Sequence, residues 1–140
     1  MKKLPSVLGV LAVLLMATAT QAQQMKMNAD VPFEFVAGDR AYPAGEYSLK
    51  ALAVNNAVLQ ITNVEKGASS FLLSNGCRNA TPSTQTKLVF RRIGDEYFLE
   101  QVWIEGRESG RQIPVSRTET QLVRNHEKAE VVIVAASLSN

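Results

Sequence analysis

Apolar and polar residues alternate along much of this chain, and the alternation limits its fold more than any other feature of the sequence. In the stretch 25–35, apolar side chains occupy every odd position, from Met25 to Phe35. A period of two places successive side chains on opposite faces of a β-strand, whereas a helix requires a period of 3.6. Short runs of this kind, separated by Gly, Pro and Asn, predict an all-β fold: an antiparallel barrel or sandwich of about seven strands.

The clearest predicted unit is a hairpin over 87–105 with a turn at Gly94-Asp95. This turn pairs the two strands in a register that joins Arg92 to Tyr97, Phe90 to Leu99 and Leu88 to Gln101. One face, the predicted core, then carries Leu88, Phe90, Tyr97, Leu99 and Trp103. The other face mixes charged residues with Val89, Ile93, Phe98, Val102 and Ile104. That is enough apolar surface for us to expect a cover, either the chain's own last helix or a partner.

Other segments give shorter signals. Pro32 cannot donate a ladder hydrogen bond, which predicts an edge strand or a bulge there. Turns are expected at Asn55-Asn56 and Asn75-Gly76, and a loop over 79–85. Ser116 and Glu119 have the spacing of a capping box, which predicts one short helix over about 117–126. The β-branched run 130–136 predicts a buried closing strand.

The first 22 residues have the features of a cleavable secretory signal peptide. Lys2 and Lys3 precede an apolar run over 7–17, and Thr20-Gln21-Ala22 places small residues before a cut. The run is short for a membrane span, so no span is expected after cleavage. We therefore divide the chain into a signal peptide, 1–22, and one β domain, 23–140, located in the periplasm or secreted.

Charge argues against nucleic acid as a partner. The chain has 15 Lys and Arg and 13 Asp and Glu, and two of the lysines lie in the predicted signal peptide. The remaining domain is formally neutral, with dispersed charges, whereas a nucleic-acid-binding protein usually shows a basic excess or stripe.

A search for catalytic chemistry gives no catalytic, cofactor-binding or metal-binding residues. His126 is the only histidine and Cys77 the only cysteine, so multi-histidine metal sites and paired thiolates are excluded. No Gly-x-Ser-x-Gly elbow accompanies His126. Nothing near Cys77 in the sequence would lower the pKa of its thiol, and we expect a small buried residue there.

The hairpin supplies the candidate binding residues. Arg92 opposite Tyr97 could form a cation–aromatic surface, although the alternation alone explains the aromatic residue as core. On the other face, Phe98, Val102 and Ile104 are candidates for contact with a partner.

Three stretches together resemble a group of small exported bacterial proteins of uncharacterised function. They are VPFEFVAG from Val31 with PAGEY from Pro43; GDEYFLEQVW from Gly94; and GRQIPVS from Gly110. The resemblance implies export and one compact domain, and it supplies no activity and no catalytic residue.

These observations predict an exported, non-enzymatic binding or structural module, acting on an envelope partner or on copies of itself. A carrier of a small apolar ligand inside a β-barrel is the alternative, and a hydrolase the third.

The signal peptide gives the first test. We expect cleavage after Ala22, so the intact mass of exported protein should match a chain that starts at Gln23, with or without cyclisation of that glutamine. Recovery of the full chain in a membrane fraction would contradict this.

Overall fold

A computed structural model describes residues 26–52, 57–125 and 128–139, which contain eleven strands and one helix. The strands are β1 (Lys26–Val31), β2 (Phe35–Ala37), β3 (Arg40–Tyr42), β4 (Gly45–Ala51), β5 (Val58–Asn63), β6 (Ser69–Leu73), β7 (Asn75–Arg78), β8 (Lys87–Ile93), β9 (Glu96–Trp103), β10 (Ser109–Gln112) and β11 (Ala129–Leu138). The helix α1 (Arg117–Arg124) lies between β10 and β11.

The strands form one mixed sheet that curls into a half-barrel. Its order is β3-β2-β9-β8-β11-β1-β4-β5-β6, and β10 pairs with both β9 and β7. All pairings are antiparallel except that of β2 with β9. The predicted all-β class with one short helix near the C-terminus is confirmed. The count exceeds seven because the predicted long strands are divided and because short strands such as β3 and β10 were not foreseen.

The inside of the curl is filled by an aromatic cluster. The ring centroid of Phe35 lies 5.2 Å from those of Tyr42 and Tyr47 and 5.3 Å from that of Phe90. Two of these contacts are edge-on, a geometry that aromatic quadrupoles favour. Around the cluster lie the inward residues of the alternating strands: Met27, Ala29, Val31, Leu49, Ala51, Leu59, Ile61, Leu72, Leu88 and Leu99.

The hairpin of β8 and β9 contains a bulge that changes its two faces. The predicted pairs Arg92–Tyr97 and Phe90–Leu99 are present, but Val89 lies opposite Gln101. The extra residue is therefore Glu100 on β9, and every pair beyond it is shifted by one. The predicted pairing of Leu88 with Gln101 is wrong, because Leu88 lies opposite Val102.

This shift exchanges side chains between the faces. Val102 and Ile104, predicted to lie opposite the core, belong to the main core cluster. Trp103 is buried, with 2% of its surface exposed, but it lies outside that cluster. The predictions for Leu88, Phe90 and Leu99 as core residues are confirmed.

The prediction of an edge strand or bulge at Pro32 and the prediction of a turn at Asn75-Gly76 are both wrong. β1 lies inside the sheet, between β11 and β4, and Pro32 follows its last residue rather than marking an edge. Asn75 and Gly76 form no turn. They open β7, where β10 pairs with them, so the chain continues as a strand. Asn55-Asn56 lies outside the described residues, although β4 and β5 do pair as a hairpin.

The last strand differs from the buried strand that its β-branched run predicts. Val132 and Val134 pack against the core, while Val131 is 69% and Ile133 49% exposed. The reason is that α1 packs on the neighbouring strand β8, so the outer side of β11 is left to solvent. In the described part of the chain, no helix is long and apolar enough to cross a bilayer.

Burial predicts a sharp contrast between two phenylalanines. Phe35 is 1% exposed and Phe71 65% exposed. Phe35→Ala should destabilise the protein by about 3–5 kcal/mol, because it leaves a cavity among three rings. Phe71→Ala should change the free energy of unfolding by less than about 0.5 kcal/mol. Chemical denaturation of both variants checks this, and equal losses would contradict the placement of the core.

Candidate functional site

The half-barrel is open between β3 and β6, the two ends of the strand order, and a groove of about 760 Å³ lies there. We call it the edge groove. Its lining comes from three places: the turn and second strand of the β2–β3 hairpin, the strand β6, and the segment that follows β10. The lining residues are Ala37, Gly38, Asp39, Arg40, Tyr42, Ser69, Ser70, Phe71, Leu72, Leu73, Pro114, Val115 and Ser116.

The first wall is the free edge of β6. In an antiparallel ladder, the N–H and C=O of successive residues point alternately to the two sides of the strand. The N–H of Ser74 donates to the carbonyl of Ala57 at 2.8 Å. The backbone N–H and C=O groups of the even-numbered residues of β6 therefore point toward β5. The backbone groups of Ser69, Phe71 and Leu73 therefore point toward the edge groove. Within the described segments, no strand pairs with this side of β6.

The side chains on this edge are unusual. Phe71 is 65% and Leu73 72% exposed, and both belong to a strand that contains no charge and no proline. Edge strands usually carry a charge or a proline, because an open apolar edge invites pairing with another chain. The structure thus combines unpaired backbone groups with exposed apolar side chains on the same strand.

The second wall is the hairpin of β2 and β3. Its turn needs the positive φ of Gly38, +61°. The hydroxyl of Tyr42 hydrogen-bonds the hydroxyl of Ser70, and this contact joins the hairpin to β6. Asp39 and Arg40 are exposed at the lip of the groove and bring one charge of each sign.

The third wall exists because β10 leaves the ladder before it reaches β6. β10 pairs with β7 as far as Gln112, and the next N–H, that of Ile113, donates to the carbonyl of Glu100 at 2.8 Å. Pro114 has no N–H to continue a ladder. The segment 114–116 therefore runs beside the groove without pairing with β6.

Helix α1 holds this third wall in place. Ser116, at the end of the wall, is the N-cap, and its hydroxyl accepts from the N–H of Glu119 at 3.1 Å, which confirms the predicted capping contact. The carboxylate of Glu119 lies 3.6 Å from the guanidinium of Arg91 on β8. Arg91 also pairs with Glu100 at 3.2 Å.

The buried carboxyl of Glu119 is electrostatically costly in its charged form. Burial raises its pKa above the ordinary carboxyl range, Arg91 opposes this rise, and the nearby Glu100 adds to it. Burial is the largest of these effects, so the Glu119 carboxyl is protonated more readily in the folded protein than in the unfolded chain.

The three apolar residues predicted to contact a partner form no exposed surface. Phe98, Val102 and Ile104 are at most 7% exposed. Phe98 shares the outer face with Val89 and Ile93, both buried, so the chain itself covers the face that was expected to need a cover.

Arg92 and Tyr97 do come together as predicted, with the guanidinium carbon 5.7 Å from the ring centroid. Phe33 stacks on the Tyr97 ring at 3.8 Å, and Arg92 also donates to the carbonyl of Gly94 and pairs with Asp95. The partners of this ring therefore come from the chain itself, which favours a structural role.

Sequence reasoning missed the edge groove, although one signal was present. Phe71, Leu72 and Leu73 are consecutive apolar residues in a strand, so at least one of them has to face outward. We did not interpret this apolar run as an open edge, because the turn expected at Asn75-Gly76 would have ended β6 in an ordinary hairpin.

Groups with catalytic potential are sparse. Among residues 26–52, 57–125 and 128–139, no three His, Cys, Asp or Glu side chains are placed to hold a metal ion. Cys77 is half-buried on β7 rather than fully buried. Burial raises the pKa of its thiol, against the opposing effects of Arg111 and the Gly110 backbone, so the reactive thiolate is disfavoured. His126 lies outside the described residues.

Comparisons with protein-family models, with curated proteins and with solved structures give no match to this chain.

The raised pKa of Glu119 makes a prediction about pH. A carboxyl whose folded pKa is raised destabilises the fold above that pKa and ceases to do so once it is protonated. At neutral pH, Glu119→Gln should therefore be at least as stable as the unmodified protein. The difference should shrink as pH falls toward about 4.3, the ordinary glutamate pKa.

Denaturation at several pH values measures this, with Ser116→Ala as the control. Loss of the N-cap should cost about 1 kcal/mol at every pH. If Glu119→Gln is the less stable protein at neutral pH and the deficit disappears in acid, the attraction to Arg91 outweighs burial and the prediction is wrong.

Proposed function

We propose that this protein is an exported, non-enzymatic binding module of the bacterial envelope or extracellular space, and that the edge groove is its binding surface. One observation carries the proposal: the groove is bordered by an open, uncharged strand edge with two largely exposed apolar side chains, Phe71 and Leu73. Keeping such an edge uncovered favours aggregation, so its presence is best explained by a partner that covers it.

The dimensions of the edge groove agree with this role. Its volume of about 760 Å³ lies within the range of about 300–1,000 Å³ that is usual for sites binding discrete ligands. Its lining combines apolar surface from Phe71, Leu73 and Val115 with hydroxyls from Tyr42 and Ser70. Sites of this composition gain affinity from apolar contact and orientation from a few polar groups.

The interior of the half-barrel gives the carrier hypothesis less support. An apolar ligand carried inside the curl would need the space that Phe35, Tyr42, Tyr47 and Phe90 share in direct ring contact. A hydrolase receives no support from Cys77, whose thiol is not activated.

Site-specific photo-crosslinking in the exporting cell tests the proposal. Placing p-benzoylphenylalanine at Phe71 should yield a covalent adduct to a partner on illumination. Val131 is the matched control, because it is an equally exposed apolar strand residue at 69% but lies on β11, away from the groove. The adduct should form from position 71 and not from position 131.

The outcome is read by mass spectrometry of the purified adduct. Equal labelling from both positions would mean that contact is nonspecific. The absence of an adduct at Phe71, with the probe protein exported and folded, would contradict the assignment of the edge groove as the binding surface.

A further inference from the structure

We infer that the occupant of the edge groove is an extended segment of another polypeptide chain, which adds a strand to the free edge of β6. This inference rests on the proposed function, since it specifies the partner of the same groove. Its basis is the backbone rather than the apolar side chains alone.

The free edge of β6 offers a complete half-ladder. Ser69, Phe71 and Leu73 each direct an N–H and a C=O toward the edge groove, at the alternate spacing of an antiparallel or parallel partner strand. A partner that forms main-chain hydrogen bonds at this spacing is an extended peptide, and strand addition of this kind is a recurrent mode of peptide recognition. A compact apolar small molecule would leave these backbone groups unused.

The walls of the groove favour a single strand over a second copy of this protein. Opposite β6 stands the turn of the β2–β3 hairpin, where a Cβ on Gly38 would come 3.8 Å from the Leu72 side chain. The segment 114–116 adds a further wall. In a second copy of this protein, β6 is flanked by the same hairpin and the same segment 114–116, and these would have to fit beside the groove as well. A single extended segment needs only the spacing between neighbouring strands, about 4.8 Å.

The groove also limits the composition of the bound segment. β6 has five residues, which corresponds to about 17 Å of extended chain. Side chains of paired strands share a face with their neighbours, so residues beside Phe71 and Leu73 should be apolar. β6 carries no charge, and Asp39 and Arg40 at the lip cancel, so a segment without net charge is the complement. Proline is excluded at the positions whose N–H must face β6.

Selection of random octapeptides displayed on phage, with the mature protein as target, tests the inference. We expect enriched peptides to be uncharged on balance, to alternate apolar residues and to lack central proline. Binding of the best synthetic peptide should then fall about tenfold or more for Leu73→Pro, because that change removes an N–H that points at the groove. Leu73→Ala, which keeps the N–H, is the matched control and should weaken binding less.

Leu73→Pro should fold, because its N–H is not used by β5, and a melting curve verifies this. A second measurement needs no variant of the protein. The selected peptide is N-methylated at each residue in turn, and methylation at alternate positions should abolish binding while the intervening positions tolerate it, because alternate N–H groups face β6.

The outcomes separate the two proposals. If Phe71→Ser abolishes binding, while Leu73→Pro and all N-methylated peptides bind as well as their controls, the groove is a binding site but strand addition is wrong. If selection on the Phe71→Ser variant enriches peptides as well as selection on the unmodified protein does, or if neither selection enriches any, the groove is not a peptide-binding site. The binding-surface proposal and the strand-addition proposal are then both wrong for a peptide ligand. A concentration-dependent dimer in sedimentation velocity, lost in Leu73→Pro, would replace the peptide with a second copy of the chain.

Discussion

The half-barrel depends on how the guanidinium of Arg111 fixes the chain at Ser74. Its Nη2 donates to the Ser74 carbonyl at 2.7 Å and its Nε to the Ser74 hydroxyl at 3.0 Å. At this residue the chain passes from β6, which pairs with β5, to β7, which pairs with β10. β10 also pairs with β9, so this charge-assisted contact ties the bend at Ser74 to β9 on the other side of the curled sheet. The edge groove follows from the same arrangement, since β10 ends beside the bend and, among the described strands, none pairs with the side of β6 that faces away from β5.

A second constraint is the extra residue in β9. Glu100 moves the rest of the strand by one position, so Val102 faces the aromatic core and Trp103 the opposite side. The bulge also places the carboxylate of Glu100 beside Arg91, which in turn meets Glu119 on the helix. The carbonyl of Glu100 accepts the N–H of Ile113, the residue at which β10 turns away. One inserted residue therefore links the core, the helix and the third wall of the groove.

The proposed binding surface consists largely of backbone, and this has a consequence for specificity. Main-chain hydrogen bonds distinguish an extended segment from a folded one but read no sequence, so selectivity has to come from the alternate side chains beside Phe71 and Leu73. An uncharged strand edge of this kind would accept a range of apolar segments. Polar groups of the groove, among them Asp39, Arg40 and the hydroxyls of Tyr42 and Ser70, can narrow this range.

Local sequence determined a large part of this structure. Period-two alternation predicted the inward residues of β1. The Gly94-Asp95 turn predicted the pairs of the β8–β9 hairpin that lie nearest to it, and the Ser116–Glu119 spacing predicted the start of α1. Each depends on residues a few positions apart, so the physical cause is contained in the segment itself.

Tertiary structure decided what local pattern could not. The Asn75-Gly76 pair has the composition of a tight turn, yet pairing with β10 keeps it extended, and β10 lies more than 30 residues away in the sequence. The bulge at Glu100 shifts the β8–β9 pairing by one residue, and alternation counted from the turn assumes that no such shift occurs. Val131 and Ile133 are exposed because α1 packs on the neighbouring strand β8. The open edge of β6 exists because a distant strand, β10, pairs with β7 and ends at Gln112, before it could pair with β6. No single stretch of sequence contains this relation between segments.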